Sequence, residues 1–326
     1  MKLLITGGGG FVGRNLCEYL KDNSSNITKI ITTLNIGEAS NNRLDEFDKE
    51  IEFVKCDLTN KKDVDDLFKK EFDTIIHCAA VSTGAKDIIN RPYLHVTDNA
   101  IMGSLVFRRA FQNEIDKVIF LSCSAIYDSS ETLIKEEAQN AYKINKKYFG
   151  GGWTKVYLEK QCEFYSKLGK TKFIVIRHSN MFGKNDDFND DRSHMVAANL
   201  KKVFLGKEND TVIVWGSGKT KRDILYIDDL SSFIKIILEN SFENNYSIFN
   251  LGAATGISVK EVVQKIISVS GKKLNIEFDT SKPDIDVNIF LDCSKAKSLG
   301  WSPMYSFENG VELTFKWMKD NINKLS

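Results

Sequence analysis

The chain has 326 residues, 42% of them hydrophobic, enough for one large α/β unit with a smaller lobe or for two modest domains. Forty-five Lys and Arg against 44 Asp and Glu leave a formal charge of +1, so no global basic field is available to hold a nucleic-acid backbone or an anionic membrane surface. The six cysteines are dispersed without a CxxC pair, which argues against a metal site or a disulfide framework, and no signal peptide or membrane-length apolar run is found, so a soluble protein of the reducing cytosol is expected.

Short β-branched runs at 2–6, 29–33, 51–55, 74–77 and 117–122 alternate with segments at 12–21, 61–70 and 99–113 whose apolar residues fall at helical spacing. That rhythm predicts a doubly wound parallel sheet of the Rossmann type, wrapped by helices. A helix at 155–168 and a buried strand at 173–177 extend it. The polar stretch 183–192 reads as a loop, and the remainder mixes short strands with helices such as 259–270 and 307–321. We place a dinucleotide-binding domain at 1–180 and mainly a substrate-binding α/β lobe at 181–326, with some segments returning to the first domain.

Thr6-Gly7-Gly8-Gly9-Gly10-Phe11-Val12-Gly13 stands directly after a predicted strand and before a predicted helix. Glycines there allow a tight turn and let backbone N–H groups approach a pyrophosphate at the positive end of the helix dipole. Gly7, Gly10, Phe11 and Val12 are thus candidate cofactor-binding residues. At the end of the second strand, Thr32-Thr33-Leu34-Asn35 offers no carboxylate to exclude a ribose phosphate, which favours NADP while leaving NAD open. Arg43 is the nearest candidate cation.

The glycine spacing, with Phe11, resembles the TGxxGFxG fingerprint of the extended short-chain dehydrogenase/reductase family. Cys56-Asp57-Leu58, His77-Cys78-Ala79-Ala80, Asn99, and Ser124 with Tyr127 occupy matching places. The resemblance implies an NAD(P)-dependent enzyme in which Asp57, Leu58, Ala79, Ala80, Asn99 and His178 border the cofactor. Within the family the chain is similar to the GDP-L-fucose synthases: Phe182 to Phe188, Ser193-His194-Met195-Val196, Val214 to Gly218 and Arg222 to Asp229 carry the match. This implies an epimerase/reductase for a GDP-linked keto-deoxysugar or heptose, working as a homodimer without nucleic-acid or membrane partners. Asn180, Lys202, Trp215, Arg222 and Tyr127 would border the substrate. Arg222 presents a fork suited to a diphosphate, although taken alone it is equally an ion-pair partner. His194 titrates near neutrality and would return protons to carbon.

The family's YxxxK element is incomplete. Lys155 fits, but the tyrosine position falls on Gly151 within Gly150-Gly151-Gly152. Tyr157 should point to another side of the helix, and Tyr148 reaches in only through an irregular backbone. The strand residue that usually carries a hydroxyl is Cys123, followed by Ser124, and the synthase cysteine position is Ala125. Cys123 is either an acid or base in a new place or a small buried core residue. Lys155, Cys123, Ser124, His194 and Tyr148 are therefore the candidate catalytic residues.

Overall fold

Seven parallel strands build the central sheet of the computed structural model, which describes residues 1–35, 51–82, 85–190, 192–282 and 285–325. They are β1 (Lys2–Thr6), β2 (Lys29–Leu34), β3 (Ile51–Lys55), β4 (Thr74–His77), β5 (Lys117–Cys123), β6 (Lys172–His178) and β7 (Tyr246–Leu251). Their spatial order is β3-β2-β1-β4-β5-β6-β7. The order in which successive strands are added reverses between β1 and β4, which opens a crevice at the carboxyl ends of the strands. Register sets what enters it. Thr6 pairs with His77, so Gly7 and Cys78 leave the sheet side by side, and Cys123 pairs with His178.

Alternation along the strands feeds two cores. Leu3 and Ile5 bury in one, Leu4 in the other, which is why these strands read as nearly continuous apolar runs. The helices of the first half are α1 (Phe11–Asn23), α2 (Lys61–Leu67), α3 (Ala85–Asn90), α4 (Thr97–Gln112) and α5 (Phe149–Leu168). They are followed by α6 (Met195–Leu205), α7 (Ile227–Glu239), α8 (Val259–Ser270), α9 (Ser294–Ser298) and α10 (Phe307–Asp320). Helices α1 and α7 pack on one face of the sheet, and α2, α4 and α5 on the other. Beyond the sheet, α6 packs on α8 and α10, beside a parallel pair of strands at 211–215 and 275–279. Helix α8 begins at a capping box, Ser258 with Glu261, and ends at Gly271 in the left-handed region. Because β7 comes from residues 246–251, the second half of the chain contributes to the sheet as well. No helix among the described residues is long and apolar enough to cross a membrane.

One element starts earlier than its pattern predicts. Helix α5 begins at Phe149 and runs through Gly150-Gly151-Gly152, although each glycine costs roughly 1 kcal/mol in a helix relative to alanine. Packing decides it. A Cβ at Gly152 would stand 2.7 Å from the Ala125 carbonyl oxygen, and one at Gly150 would stand 3.0 Å from Val96 Cγ2. At Gly152 the helix can lie this close to the Ala125 backbone only without a side chain, while at Gly150 a side chain would have to push the Val96 methyl aside by a few tenths of an ångström.

Candidate active site

The loop from β1 to α1 is built around close backbone approach. Gly7 has φ +76°, and its N–H donates to Thr33 Oγ1 at 2.9 Å. Gly10 N–H donates to the Gly7 carbonyl at 3.0 Å. A Cβ at Gly13 would lie 2.3 Å from that same carbonyl oxygen, and one at Gly7 would lie 2.8 Å from Ala79 Cα. Gly10 is the N-cap of α1 and places no side chain over the helix end, so the positive end of its dipole faces the cleft. This cradle fits the diphosphate of a dinucleotide, which such a cofactor would lay on α1 while supplying or accepting hydride.

Further along the cleft, Asp57 Oδ1 accepts from Thr59 N–H at 2.9 Å and from Thr59 Oγ1 at 2.7 Å, which fixes the turn that follows β3. Leu58 beside it is buried, and Thr33 and Asn35 border the same space. The Thr32 hydroxyl points inward to the Ile5 carbonyl at 2.6 Å. Arg43 lies outside the described residues. Asn99 supports the wall. Its Oδ1 accepts from Val81 N–H at 2.7 Å, and its Nδ2 donates to the Val81 and His95 carbonyls at 3.0 Å each.

The catalytic candidates converge at the other end. A single cleft of about 800 Å³ is bordered by the glycine loop and by Lys155, Cys123, Ser124, Tyr148 and His194. Lys155 Nζ donates to the Leu121 carbonyl at 2.8 Å and stands 4.8 Å from the Phe120 ring centroid. Burial holds its pKa below the ordinary lysine value, opposed by Cys123 and Glu159. Burial pushes the Cys123 thiol up, and Lys155 pulls it back. His178 Nδ1 lies 2.8 Å from the Ser179 carbonyl, and burial pushes its pKa down to about 4. His194, the N-cap of α6, lies 3.4 Å through Nε2 from Ser82 Oγ. The cleft walls hold it below the usual histidine value, with Asp187 opposing and His95 reinforcing the shift. A short 3-10 turn, Lys146–Tyr148, delivers Tyr148 to the start of α5. Its phenol is pushed up by burial, with Arg222 opposing and Cys123 adding.

Gly7, Gly10, Phe11, Val12, Ala79 and Ala80 all border this cleft, and so do Asp57, Leu58, Asn99, His178 and Asn180. Three expected substrate residues do not. Tyr127 is buried in the sheet's core, its hydroxyl donating to Asn250 Oδ1 at 2.7 Å and accepting from Arg177 Nη1 at 2.8 Å. Lys202 turns to the Ile213 carbonyl at 2.7 Å, because more than two turns along α6 from the N-cap His194 its side chain faces the lobe's own strand. Trp215 is exposed on that strand, with Lys282 Nζ 5.8 Å from its ring centroid. Arg222 does border the cleft, yet its donors go to the carbonyls of Lys221, Val287 and Ile285 at 2.9, 2.8 and 2.6 Å.

Sequence reasoning passed over His95, Ser82, Asp186 and Asp187, all of which border the cleft. Asp186 stood inside the quoted 182–188 segment, and its burial was the missing signal. Nothing in the sequence singles out His95.

Residues 3–252 match the model of the NAD dependent epimerase/dehydratase family. The chain is 30% identical over 274 residues to GDP-L-fucose synthase of Sinorhizobium fredii, covering 82% of this chain and 86% of that one. It is 26% identical over 333 residues to GDP-L-colitose synthase of Yersinia pseudotuberculosis, covering 99% of both. Among solved structures, UDP-glucose 4-epimerase of Thermotoga maritima superposes with a TM-score of 0.85 at 22% identity, over 99% of this chain and 100% of that one. With its glycine cradle, sheet order and family match, this chain is an enzyme of the NAD dependent epimerase/dehydratase family.

Proposed function

We propose that this protein is a sugar-nucleotide epimerase/reductase acting on a GDP-linked 4-keto-deoxysugar or heptose, in the cytosol and as a homodimer. The observation that carries the reading is the continuity of one cleft from the glycine cradle to Lys155, Ser124, Cys123 and His194. A hydride site and proton-moving groups must share one space for such chemistry. The similarity to GDP-L-fucose and GDP-L-colitose synthases supports the choice of sugar nucleotide.

In this reading Lys155 binds the nicotinamide ribose, Ser124 orients the sugar oxygen, and His194 and Cys123 move protons at the carbons beside the ketone. Arg222 shapes the wall near the nucleotide through the carbonyls it holds. NADP is the favoured cofactor, with NAD accommodated. Thr33 and Asn35 bring no carboxylate to the adenosine end, so a 2′-phosphate meets no like charge from them.

The test is incubation with GDP-4-keto-6-deoxymannose in deuterated water, with NADPH and separately with NADH. Nicotinamide absorbance and deuterium uptake by mass are followed together. Cofactor oxidation with a reduced, deuterated product is the expected result. Deuterium uptake without oxidation would mean an epimerase that does no net redox, a second reading favoured by Gly151 at the usual tyrosine position. If neither signal appears, the substrate assignment is wrong.

A further inference from the structure

A side chain at position 151 would enter the cleft beside one particular residue. A Cβ built there stands 3.6 Å from His95 Cβ, in ordinary van der Waals contact, and outside its own helix it meets no other described atom within 4 Å. Both residues border the cleft. Lys155 lies one helical turn further along the same face of α5. The imidazole of His95 thus leaves its backbone at the point from which a phenol on residue 151 would have started.

Its backbone is held there from two sides. Asn99 Nδ2 donates to the His95 carbonyl at 3.0 Å. The 3-10 turn Pro92–His95 is pressed against α5, since Val96 Cγ2 would stand 3.0 Å and the Pro92 carbonyl oxygen 3.7 Å from a Cβ at Gly150. The triple glycine therefore both empties position 151 and draws His95 up to it.

We infer that His95 is the proton donor to the sugar carbonyl oxygen, in place of the phenol that Gly151 lacks. The inference rests on the epimerase/reductase reading above. The carbonyl carbon accepts a hydride from a reduced nicotinamide, and the carbon–oxygen π pair moves onto oxygen. That oxygen takes the proton from the His95 imidazolium, leaving an alcohol, an oxidised nicotinamide and a neutral imidazole that solvent reprotonates. An imidazole exchanges protons near neutrality without help, whereas a phenol needs an adjacent cation to do so. Tyr148 is the rival. Its phenol is pushed up by burial, and the fork of Arg222 beside it is committed to three carbonyls. Lys155 donates to the Leu121 carbonyl. His95 also acts electrostatically on His194, so the groups proposed to move protons at oxygen and at carbon lie within each other's field.

The experiment compares wild type, His95→Gln, His95→Asn, Tyr148→Phe and the double variant Gly151→Tyr/His95→Gln in steady-state turnover. Thermal unfolding and NADPH binding by fluorescence are measured alongside. The expected result is a kcat lower by about 100-fold or more in both His95 variants, with KM within about threefold and NADPH binding intact. Tyr148→Phe loses less than either His95 variant, and the double variant regains at least about tenfold over His95→Gln. Near-normal kcat in either His95 variant that binds NADPH overturns the inference, and so does a collapse confined to Tyr148→Phe. A wild type that binds NADPH but turns over no nucleotide sugar removes the epimerase/reductase reading and the inference with it, a result visible before any variant is compared.

Discussion

Arg177 on β6 and Glu159 on α5 form an enclosed ion pair, with Nη2 2.6 Å from Oε2 and Nε donating to both carboxylate oxygens at 3.1 and 3.2 Å. Ser122 Oγ donates to the same carboxylate at 2.5 Å, and Arg177 Nη1 reaches Tyr127 and the Glu136 carbonyl at 2.8 Å each. The pair ties α5 to β5 and β6. Glu159 is one helical turn beyond Lys155, while Arg177 precedes His178. Lys155 is thereby fixed relative to the strand ends that carry Cys123 and His178.

Removing one partner leaves the other charge buried and unpaired. Glu159→Gln or Arg177→Met should therefore cost about 3–5 kcal/mol of stability, read from urea unfolding midpoints. Replacing both by apolar residues should cost less than either single change.

Tyr127 separates a core role from a substrate role. Its hydroxyl makes two buried hydrogen bonds and does not border the cleft. Tyr127→Phe should lower stability by about 1–3 kcal/mol and leave KM for the sugar nucleotide unchanged. A raised KM at unchanged stability would restore it to the substrate site.

The glycines of the cradle are not equivalent. A Cβ at Gly10 meets only the Gly7 carbonyl oxygen, at 3.4 Å, whereas one at Gly13 would sit 2.3 Å from it. Gly13→Ala must displace the loop and should abolish binding of the reduced nicotinamide dinucleotide, while Gly10→Ala should weaken it by about tenfold or less, as titration of cofactor fluorescence would show.

Asp186 makes stability depend on pH. It is buried, with Oδ1 accepting from Asp187 N–H at 2.8 Å and Oδ2 lacking a partner. Burial pushes its pKa up to about 8 from 3.8. The folded protein then holds a proton that the unfolded chain releases, so its contribution is fully present below about pH 4 and is lost as pH rises to about 8. Asp186→Asn should match wild type near pH 4 and exceed it near pH 9 by on the order of a few kcal/mol, measured as the difference in unfolding free energy at the two pH values.

The strands 2–6, 51–55 and 74–77 were legible to the residue, because a strand buried on both faces, as 2–6 and 74–77 are, is written as a local apolar run between turn residues, and the half-buried edge strand 51–55 still carries Ile51, Phe53 and Val54. The glycine cradle was legible for a similar reason, since its fit depends on neighbours within one strand-loop-helix unit. Position 151 could be counted from Lys155, as helical spacing fixes relative position. What lies across from it could not. His95 is 56 residues away from Gly151 in sequence, and only the packing of α5 against the turn before α4 brings them together. Tyr127, Lys202 and Trp215 lie away from the cleft on the same ground: a motif fixes where a residue sits along the chain, while its side chain answers to partners such as Arg177, Ile213 and Lys282 on other elements. Local periodicity thus determined the layers and the dinucleotide cradle, and long-range packing decided which side chains share the cleft, because burial and hydrogen-bond partners are set by contacts between segments that the sequence keeps apart.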